Sequence, residues 1–235
     1  MDIRSNIESV RNRIEAAAAA AGRLPGEITL VAASKTNSAE RVAEAIAAGI
    51  TVCGENRVQE MLEKKSLGAY DGAQLHFIGH LQKNKVRQVV GQCALIQSVD
   101  SVELLSLINL RAAELGICQD VLLEINIAGE ASKSGMEPAA LPLVLEAAAK
   151  FPFIRVRGLM SIPPISLENG GNRAYFARMH KLFVDNSVKK YDNISMDFLS
   201  MGMSGDFEDA IAEGSNMVRV GSAIFGARIY PTKTV

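Results

Sequence analysis

The sequence is poor in cysteine and lacks long uncharged apolar runs. Its 235 residues include no tryptophan and only three cysteines, Cys53, Cys93 and Cys118, without a CxxC pair. This odd, scattered set argues against a disulfide framework and against structural zinc, and it indicates a reducing, cytoplasmic compartment. No stretch reaches the roughly 18 uncharged apolar residues of a membrane span, and charged residues between Met1 and Ala20 exclude a signal peptide.

The chain also lacks an excess of either charge. Lysine plus arginine number 25 and aspartate plus glutamate 26, which leaves a formal net charge of −1. No global field therefore attracts nucleic acid or an anionic membrane, and any anionic ligand must be held by a local site.

What the sequence does contain is a regular alternation of strand-like and helical segments. A first helix is predicted from Ile3, with Asp2 as the N-cap, and Gly22 and Pro25 end it. The predicted strands are Ile28–Ser34, Thr51–Gly54, Leu75–Gly79, Ala94–Val99, Val121–Asn126, Val156–Ile162, Phe198–Met201 and Met217–Phe225. The predicted helices between them are Ala39–Ala48, Arg57–Lys65, Lys83–Val90, Val102–Leu115, Pro138–Lys150, Arg173–Tyr191 and Phe207–Glu213.

Strict alternation implies parallel strands joined by right-handed crossovers, and eight strands is the number that closes a barrel. We therefore expect an α/β protein with one (β/α)8 TIM barrel over residues 1–235 and an extra N-terminal helix. An open, doubly wound sheet is the alternative. No Pro/Gly/Ser-rich linker divides the chain, and Ile162–Gly171 is predicted to be one long loop.

Lys35 closes the apolar run of residues 28–34 and precedes a helix-start sequence. A strand buried on both faces has such an unbroken run, so its terminal lysine would point into the mouth of a core. Burial favours the neutral amine, which is the nucleophile that forms a Schiff base with a carbonyl. The alternative is a solvated lysine at a strand end.

Parallel barrels carry their active sites at the carboxyl ends of the strands, so polar residues at these positions are candidates for the site. They are Lys35, Glu55, Asn56, His80, Asn126, Ser161, residues 200–205, Arg219, Gly221 and Ser222.

The loops after strands seven and eight are rich in glycine and serine, where barrels often hold a phosphate. Ser204 precedes Phe207 at helical spacing and is predicted to N-cap a helix whose free amides face the anion. Asp206, Glu208 and Asp209 would then have to face away. The alternative is an ordinary capped helix whose acidic residues complement its dipole.

Two histidines and the pair Glu55–Asn56 are weaker candidates for site residues. His76 and His80 are four residues apart, which spans roughly 13 Å on a strand, so they cannot share a metal. His80 is interpreted either as a residue of the barrel mouth or as a structural histidine. The pair Glu55–Asn56 fits a helix start as well as a ligand contact.

Several motifs follow one another along the chain: Lys35, Gly54-Glu55-Asn56, Phe77-Ile78-Gly79-His80, Gly158-Leu159-Met160, SMGMSGDFEDAI and VRVGSAIFGAR. Taken in order, they closely resemble those of the YggS/PROSC family of pyridoxal 5′-phosphate (PLP) homeostasis proteins. The resemblance covers nearly all of Leu30–Arg228, and one departure is Leu75, where the family usually has an aromatic residue.

This resemblance implies a fold-type III PLP barrel like the N-terminal domain of alanine racemase. Lys35 matches the lysine that binds PLP covalently, Ser204, Gly221 and Ser222 would hold the phosphate, and Arg219 would face the pyridine nitrogen. The other cofactor-binding residues expected are Asn56 and His80 beside the ring and Met203 in the loop with Ser204.

An arginine at the pyridine nitrogen stays protonated and can only donate, so the ring is a poor electron sink, which disfavours aminotransfer and decarboxylation. Racemisation survives such a ring, but it needs a second acid or base on the opposite face, which racemases of this fold type take from an added β-domain and a partner subunit. The chain ends soon after the eighth strand. We therefore expect a monomeric PLP carrier without robust turnover, whose partners are PLP and, as the resemblance implies, PLP-dependent apo-enzymes. A small PLP enzyme such as an amino-acid racemase is the alternative.

Overall fold

The computed structural model describes residues 2–130, 132–164, 166, 168, 170–188 and 191–226. Strands and helices alternate along them, as the sequence predicts. The strands are β1 Thr29–Ala33, β2 Val52–Glu55, β3 Gln74–Phe77, β4 Leu95–Val99, β5 Gln119–Glu124, β6 Ile154–Met160, β7 Ile194–Met203 and β8 Met217–Val220. The helices are α1 Ile3–Ala20, α2 Ala39–Ala47, α3 Val58–Ser66, α4 Val86–Val89, α5 Val102–Leu115, α6 Leu141–Ala148, α7 Arg173–Ser187, α8 Phe207–Ala212 and α9 Ser222–Phe225.

The eight strands form a closed barrel in which each pairs in parallel with its neighbours in sequence, and β1 pairs in parallel with β8. The (β/α)8 prediction is therefore confirmed, and the open-sheet alternative is wrong because the β1–β8 ladder leaves no open edge. Alternate residues face opposite sides of the barrel wall. Val31 and Ala33 pack with the interior cluster, whereas Ala32 packs with the cluster between barrel and helices.

Helix α1 precedes the barrel and follows the sequence prediction closely. The Asp2 carboxylate accepts the Ser5 N–H at 2.7 Å, which satisfies one of the free amides of the first turn. The apolar residues of α1 at helical spacing are buried. Asn6 of the same helix donates to the Ile224 carbonyl of α9 at 2.8 Å. The extra helix thus packs beside the loop that follows β8.

Several predicted boundaries differ from the structure. The strand predicted over Met217–Phe225 ends at Val220, because the chain turns at Gly221 into α9. The helix predicted over Lys83–Val90 consists of a 3₁₀ turn, Lys83–Lys85, followed by α4. The predicted domain extends to Val235, but residues 227–235 lie outside the described part, as do parts of the predicted loop and helix between residues 162 and 191.

Within the described ranges, none of the helices combines the length and the apolar character that crossing a membrane requires.

Candidate functional site

A cavity of about 700 Å³ lies at the carboxyl ends of β1, β7 and β8. Barrel closure creates it, since the β1–β8 ladder brings residues from both ends of the chain together. Six of the eight cofactor-binding residues expected from the sequence line it. They are Lys35, Met203, Ser204, Arg219, Gly221 and Ser222.

The charge of this cavity has one sign. The cations Lys35, Arg41 and Arg219 line it, and no aspartate or glutamate occurs among the described lining residues. Hydroxyl groups and glycine backbone add uncharged donors. In a molecule whose total charge is near zero, this is a local site for an anion.

Lys35 lies one residue beyond the sheet ladder of β1. Ser34 N–H still donates to the Gly54 carbonyl of β2 at 2.9 Å, and Lys35 begins the turn that leads to α2. The side chain is half-buried at the cavity wall. The prediction that Lys35 lies at the barrel mouth is confirmed.

Arg219 is buried in the barrel interior, with 4% of its surface exposed. Its Nη1 donates to Ser200 Oγ at 2.6 Å and its Nη2 to the Ser161 carbonyl at 2.9 Å. Burial lowers the pKa of Arg219 to about 10, and the charges of Glu124 and Asp206 act in the opposite direction. The guanidinium remains a cation at neutral pH, so it can only donate.

Ser204 connects the loop after β7 to the loop after β8. Its Oγ accepts the N–H groups of Gly221 at 3.1 Å and Ala223 at 3.4 Å, which leaves the hydroxyl proton to donate. The predicted N-cap role is wrong. Helix α8 begins at Phe207 with Asp206 at the N-cap position, and Ser204 Oγ instead accepts N–H groups at the entry to α9.

The acidic residues around α8 bind groups outside the cavity. Asp206 Oδ2 accepts from the Asn172 amide at 2.8 Å, and Glu208 accepts from Arg13 of α1 at 2.6 Å. Asp209 lies 3.8 Å from Arg173. None of these three carboxylates is among the described residues that line the cavity, as the binding of an anion there would require.

Asn56 and His80, the other two predicted residues, line a second cavity of about 480 Å³. The two cavities meet where Glu60 of the second accepts the Thr36 N–H of the first. His80 Nδ1 lies 3.1 Å from Ser134 Oγ, and the His80 side chain is 55% exposed. Asn56 and His80 therefore line the same cavity, but neither lines the Lys35 cavity.

Arg41 lines the cavity although the sequence does not predict it as a site residue. This residue of α2 lines the Lys35 cavity, donates to the Phe225 carbonyl at 2.6 Å, and so ties α2 to the end of α9. It also donates to Asn37 Oδ1 at 3.3 Å. An arginine in the first turns of an amphipathic helix usually indicates a solvated face, so the sequence carried no signal of this position.

A larger cavity, about 880 Å³, opens at the opposite end of the barrel. Both signs of charge line it, including Arg157 and Asp120, which form an ion pair at 2.7 Å. His76 lines it too, with Nδ1 3.0 Å from the Gln97 amide, and burial lowers the pKa of His76 to about 4. His76 and His80 lie in different cavities, and the smaller cavity at the carboxyl ends of the strands is the candidate site.

Comparison with known proteins agrees with this fold. The family described as "Alanine racemase, N-terminal domain" matches residues 3–229. A protein of Pseudomonas aeruginosa named "Pyridoxal phosphate homeostasis protein" is 44% identical over 229 residues, 97% of this chain and 96% of that one. One of the same name from Aquifex aeolicus is 42% identical over 231 residues, 98% of this chain and all of that one.

Among solved structures, PipY of Synechococcus elongatus with PLP bound has a TM-score of 0.83 at 33% identity, covering 96% of this chain and 100% of that one. An alanine racemase of Clostridium difficile has a TM-score of 0.71 at 17% identity, covering 100% of this chain and 58% of that one, and shows the fold alone. This chain belongs to the alanine racemase N-terminal-domain family and, within it, to the pyridoxal phosphate homeostasis proteins.

Proposed function

We propose that this chain binds PLP in the Lys35 cavity and takes part in PLP homeostasis by holding and releasing it, without robust turnover. The observation that carries the proposal is a cavity lined by three cations, one of them a lysine at a barrel-strand end, and by no carboxylate among its described residues. PLP carries a phosphate and an aldehyde, and this donor set suits both groups.

The phosphate would be held where the loops after β7 and β8 meet. Ser204 and Ser222 supply hydroxyl groups there, and Gly221 has no side chain between its backbone and the cavity. A hydrogen bond from a hydroxyl to a charged acceptor contributes about 1.5 to 3 kcal/mol. Arg41 adds positive charge on the same side of the cavity.

Buried polar atoms near the guanidinium fit the polar ring of PLP. Ser161 Oγ is buried and finds no hydrogen-bond partner among the described residues, and the carbonyl of the same residue holds Arg219. Arg219 would be the group at the pyridine nitrogen. Since it stays protonated, it would donate to that nitrogen and keep it free of a proton.

Lys35 would hold the aldehyde end. PLP supplies an aldehyde carbon to which a lysine amine adds, forming a carbon–nitrogen double bond with loss of one water. Hydrolysis reverses this bond, so the same lysine can retain PLP and release it. Transfer to PLP-dependent apo-enzymes belongs to this proposal.

Absence of robust turnover follows from the groups available. The described residues that line the cavity offer one amine, that of Lys35, and no aspartate, glutamate, histidine, cysteine or tyrosine, while arginine does not lose its proton. A second acid or base on the opposite side of a bound amino acid, which racemisation needs, is not found among those lining residues.

Mapping of the reduced PLP adduct tests the proposal. Borohydride treatment of PLP-loaded protein, followed by peptide mass mapping, should place a pyridoxyl group on Lys35. The Lys35→Ala variant should lose the label, whereas Lys83→Ala, which removes an exposed lysine paired with Glu103, should keep it. A label confined to Lys83 or Lys133 would contradict the assignment.

A further inference from the structure

A second lysine, Lys64 of α3, is buried next to the turn that carries Lys35. Only 4% of its surface is exposed, and its Nζ has three acceptors. It donates to Glu55 Oε1 at 2.7 Å, to Glu60 Oε1 at 2.8 Å and to the Ser34 carbonyl at 2.9 Å. The three donors of the ammonium group thus match three oxygens, one of which belongs to the residue before Lys35.

The residue after Lys35 is held by the same pair. Thr36 N–H donates to Glu60 Oε1, the oxygen that also accepts from Lys64. Lys64 and Glu60 are four residues apart on one face of α3. A single ion pair therefore binds the Ser34 carbonyl on one side of Lys35 and the Thr36 amide on the other.

Thr36 needs such support because its backbone is strained. Its φ of 64° is the only positive φ of a non-glycine residue among the described positions. A β-branched residue rarely adopts this left-handed conformation, and it persists only where surrounding contacts impose it. The side chain of Thr36 also donates to the Lys35 carbonyl at 2.6 Å.

Glu55 anchors this arrangement to the barrel. It lies at the end of β2, fully buried, and its Oε1 accepts from Ser34 Oγ at 2.6 Å and from the Tyr70 hydroxyl at 3.0 Å. Burial, and then the charge of Glu55, raise the pKa of Tyr70, so the phenol remains a donor. These charged groups lie behind the turn, and none of Lys64, Glu55 and Glu60 lines the Lys35 cavity.

We infer that Lys64 and Glu60 are positioning residues that hold the strained turn and thereby aim the Lys35 amine into the cavity. This inference rests on the proposed function, since it assigns to α3 the placement of the lysine that binds the aldehyde. Neither residue contacts the ligand cavity, so their removal should impair the covalent step and leave the phosphate and ring contacts in place.

Comparison of PLP with pyridoxine 5′-phosphate separates these effects, because the second compound has the ring and phosphate but no aldehyde. In Lys64→Met, affinity for PLP should fall by about tenfold or more, which is the effect expected from losing one or more charged hydrogen bonds. Affinity for pyridoxine 5′-phosphate should stay within about twofold of the wild-type value. Lys65→Met is the matched control. It makes the same change one residue along α3, at an exposed lysine that binds the Gln92 carbonyl, and both affinities should stay as in the wild type.

A second substitution, at Thr36, distinguishes a loss of turn geometry from a general loss of stability. Glycine adopts a φ near 64° without strain, so Thr36→Gly added to Lys64→Met should restore part of the PLP affinity. If Lys64→Met does not fold, Glu60→Gln serves instead, with exposed Glu63→Gln as its control. Equal losses for both ligands, no loss for either, or no rescue by glycine would overturn the positioning role.

Acetylation of the protein without PLP keeps this inference separate from the proposed function. When the turn is released, Lys35 should become more accessible, so acetic anhydride should label it severalfold faster in Lys64→Met than in Lys65→Met. An unchanged rate would count against the positioning role even if PLP binds to Lys35. Failure of wild-type protein to bind PLP would count against the proposed function alone.

Discussion

At the scale of single residues, burial sets the ionisation of two side chains in the barrel interior. Glu124, at the end of β5, is 4% exposed, and its Oε2 has no hydrogen-bond partner among the described residues. Burial first, and the charge of Asp100 second, raise the pKa of Glu124 from 4.5 to about 7. Arg219 opposes this rise, and its own pKa is lowered to about 10. The carboxyl is thus the buried group that titrates near neutral pH.

Glu124→Gln should change how stability depends on pH. The folded protein binds the Glu124 proton more tightly than the unfolded chain, so this contribution is complete below pH 4.5 and is lost as pH rises through about 7. The stability of Glu124→Gln relative to wild type should therefore increase with pH. The difference in unfolding free energy between variant and wild type should rise by up to about 3 kcal/mol between pH 4 and 8. Urea unfolding at several pH values measures it.

Glu146→Gln is the matched control, because Glu146 is exposed on α6 and its loss should leave the pH dependence as in the wild type. The comparison between variants also cancels the contribution of His76, whose lowered pKa acts in the opposite direction. A constant difference between Glu124→Gln and wild type across this range would show that Glu124 does not titrate there.

At the scale of elements, the anion site is a property of two loops held together. The chain enters α9 immediately after β8, and Ser204 from the loop after β7 accepts two N–H groups at that entry. Arg41 of α2 holds the other end of α9 through the Phe225 carbonyl. The geometry of the glycine and serine donors therefore depends on β7, β8 and α2 together.

Ser204→Ala should weaken phosphate binding in particular. It removes a hydroxyl donor and the acceptor that fixes Gly221, so PLP affinity should fall by about ten- to a hundredfold, as expected for hydrogen bonds to a charged group. Pyridoxal lacks the phosphate, and its affinity should change little. Titration by absorbance measures both. Similar losses for the two ligands would indicate that Ser204 has only a structural role.

The sequence predicted some of these elements and not others for physical reasons. The barrel and the place of Lys35 could be predicted, because an apolar run followed by a polar end is a local pattern. The sequence favours Ser204 as the N-cap of α8, whereas its hydroxyl accepts the N–H groups of Gly221 and Ala223, a contact that only the folded loops create. Lys64 and Arg41 look like ordinary helix-surface cations in sequence, and their burial or cavity position depends on packing across the barrel.

At the scale of the whole molecule, barrel closure concentrates charge that is balanced elsewhere. The chain has a formal net charge of −1, yet Lys35, Arg41 and Arg219, from three different elements, line one cavity. Their acidic counterparts pair at other places, such as Glu208 with Arg13 of α1. The molecule therefore has a local concentration of positive charge although its formal net charge is near zero.

The same cations support the proposal that the barrel binds PLP without robust turnover. Racemisation of an amino acid needs a base and an acid on the opposite side of its α-carbon. The described residues that line the cavity include Lys35 but no aspartate, glutamate, histidine, cysteine or tyrosine, and Arg219 would keep the ring nitrogen unprotonated, which makes the ring a poor electron sink.

Exchange of the α-proton of L-alanine in deuterated water should therefore be far slower than about 1 per second, the lower end of ordinary enzyme turnover. NMR of the alanine α-proton measures the rate, and PLP-loaded Lys35→Ala gives the background of unattached PLP. Arg219→Glu should favour protonation of the ring nitrogen and raise the exchange rate above that of the wild type. The buried carboxylate should also weaken PLP retention. Exchange by the wild type at about 1 per second or faster would overturn the carrier proposal and favour a racemase, because proton transfer at the α-carbon would then take place at an enzyme-like rate in the folded barrel.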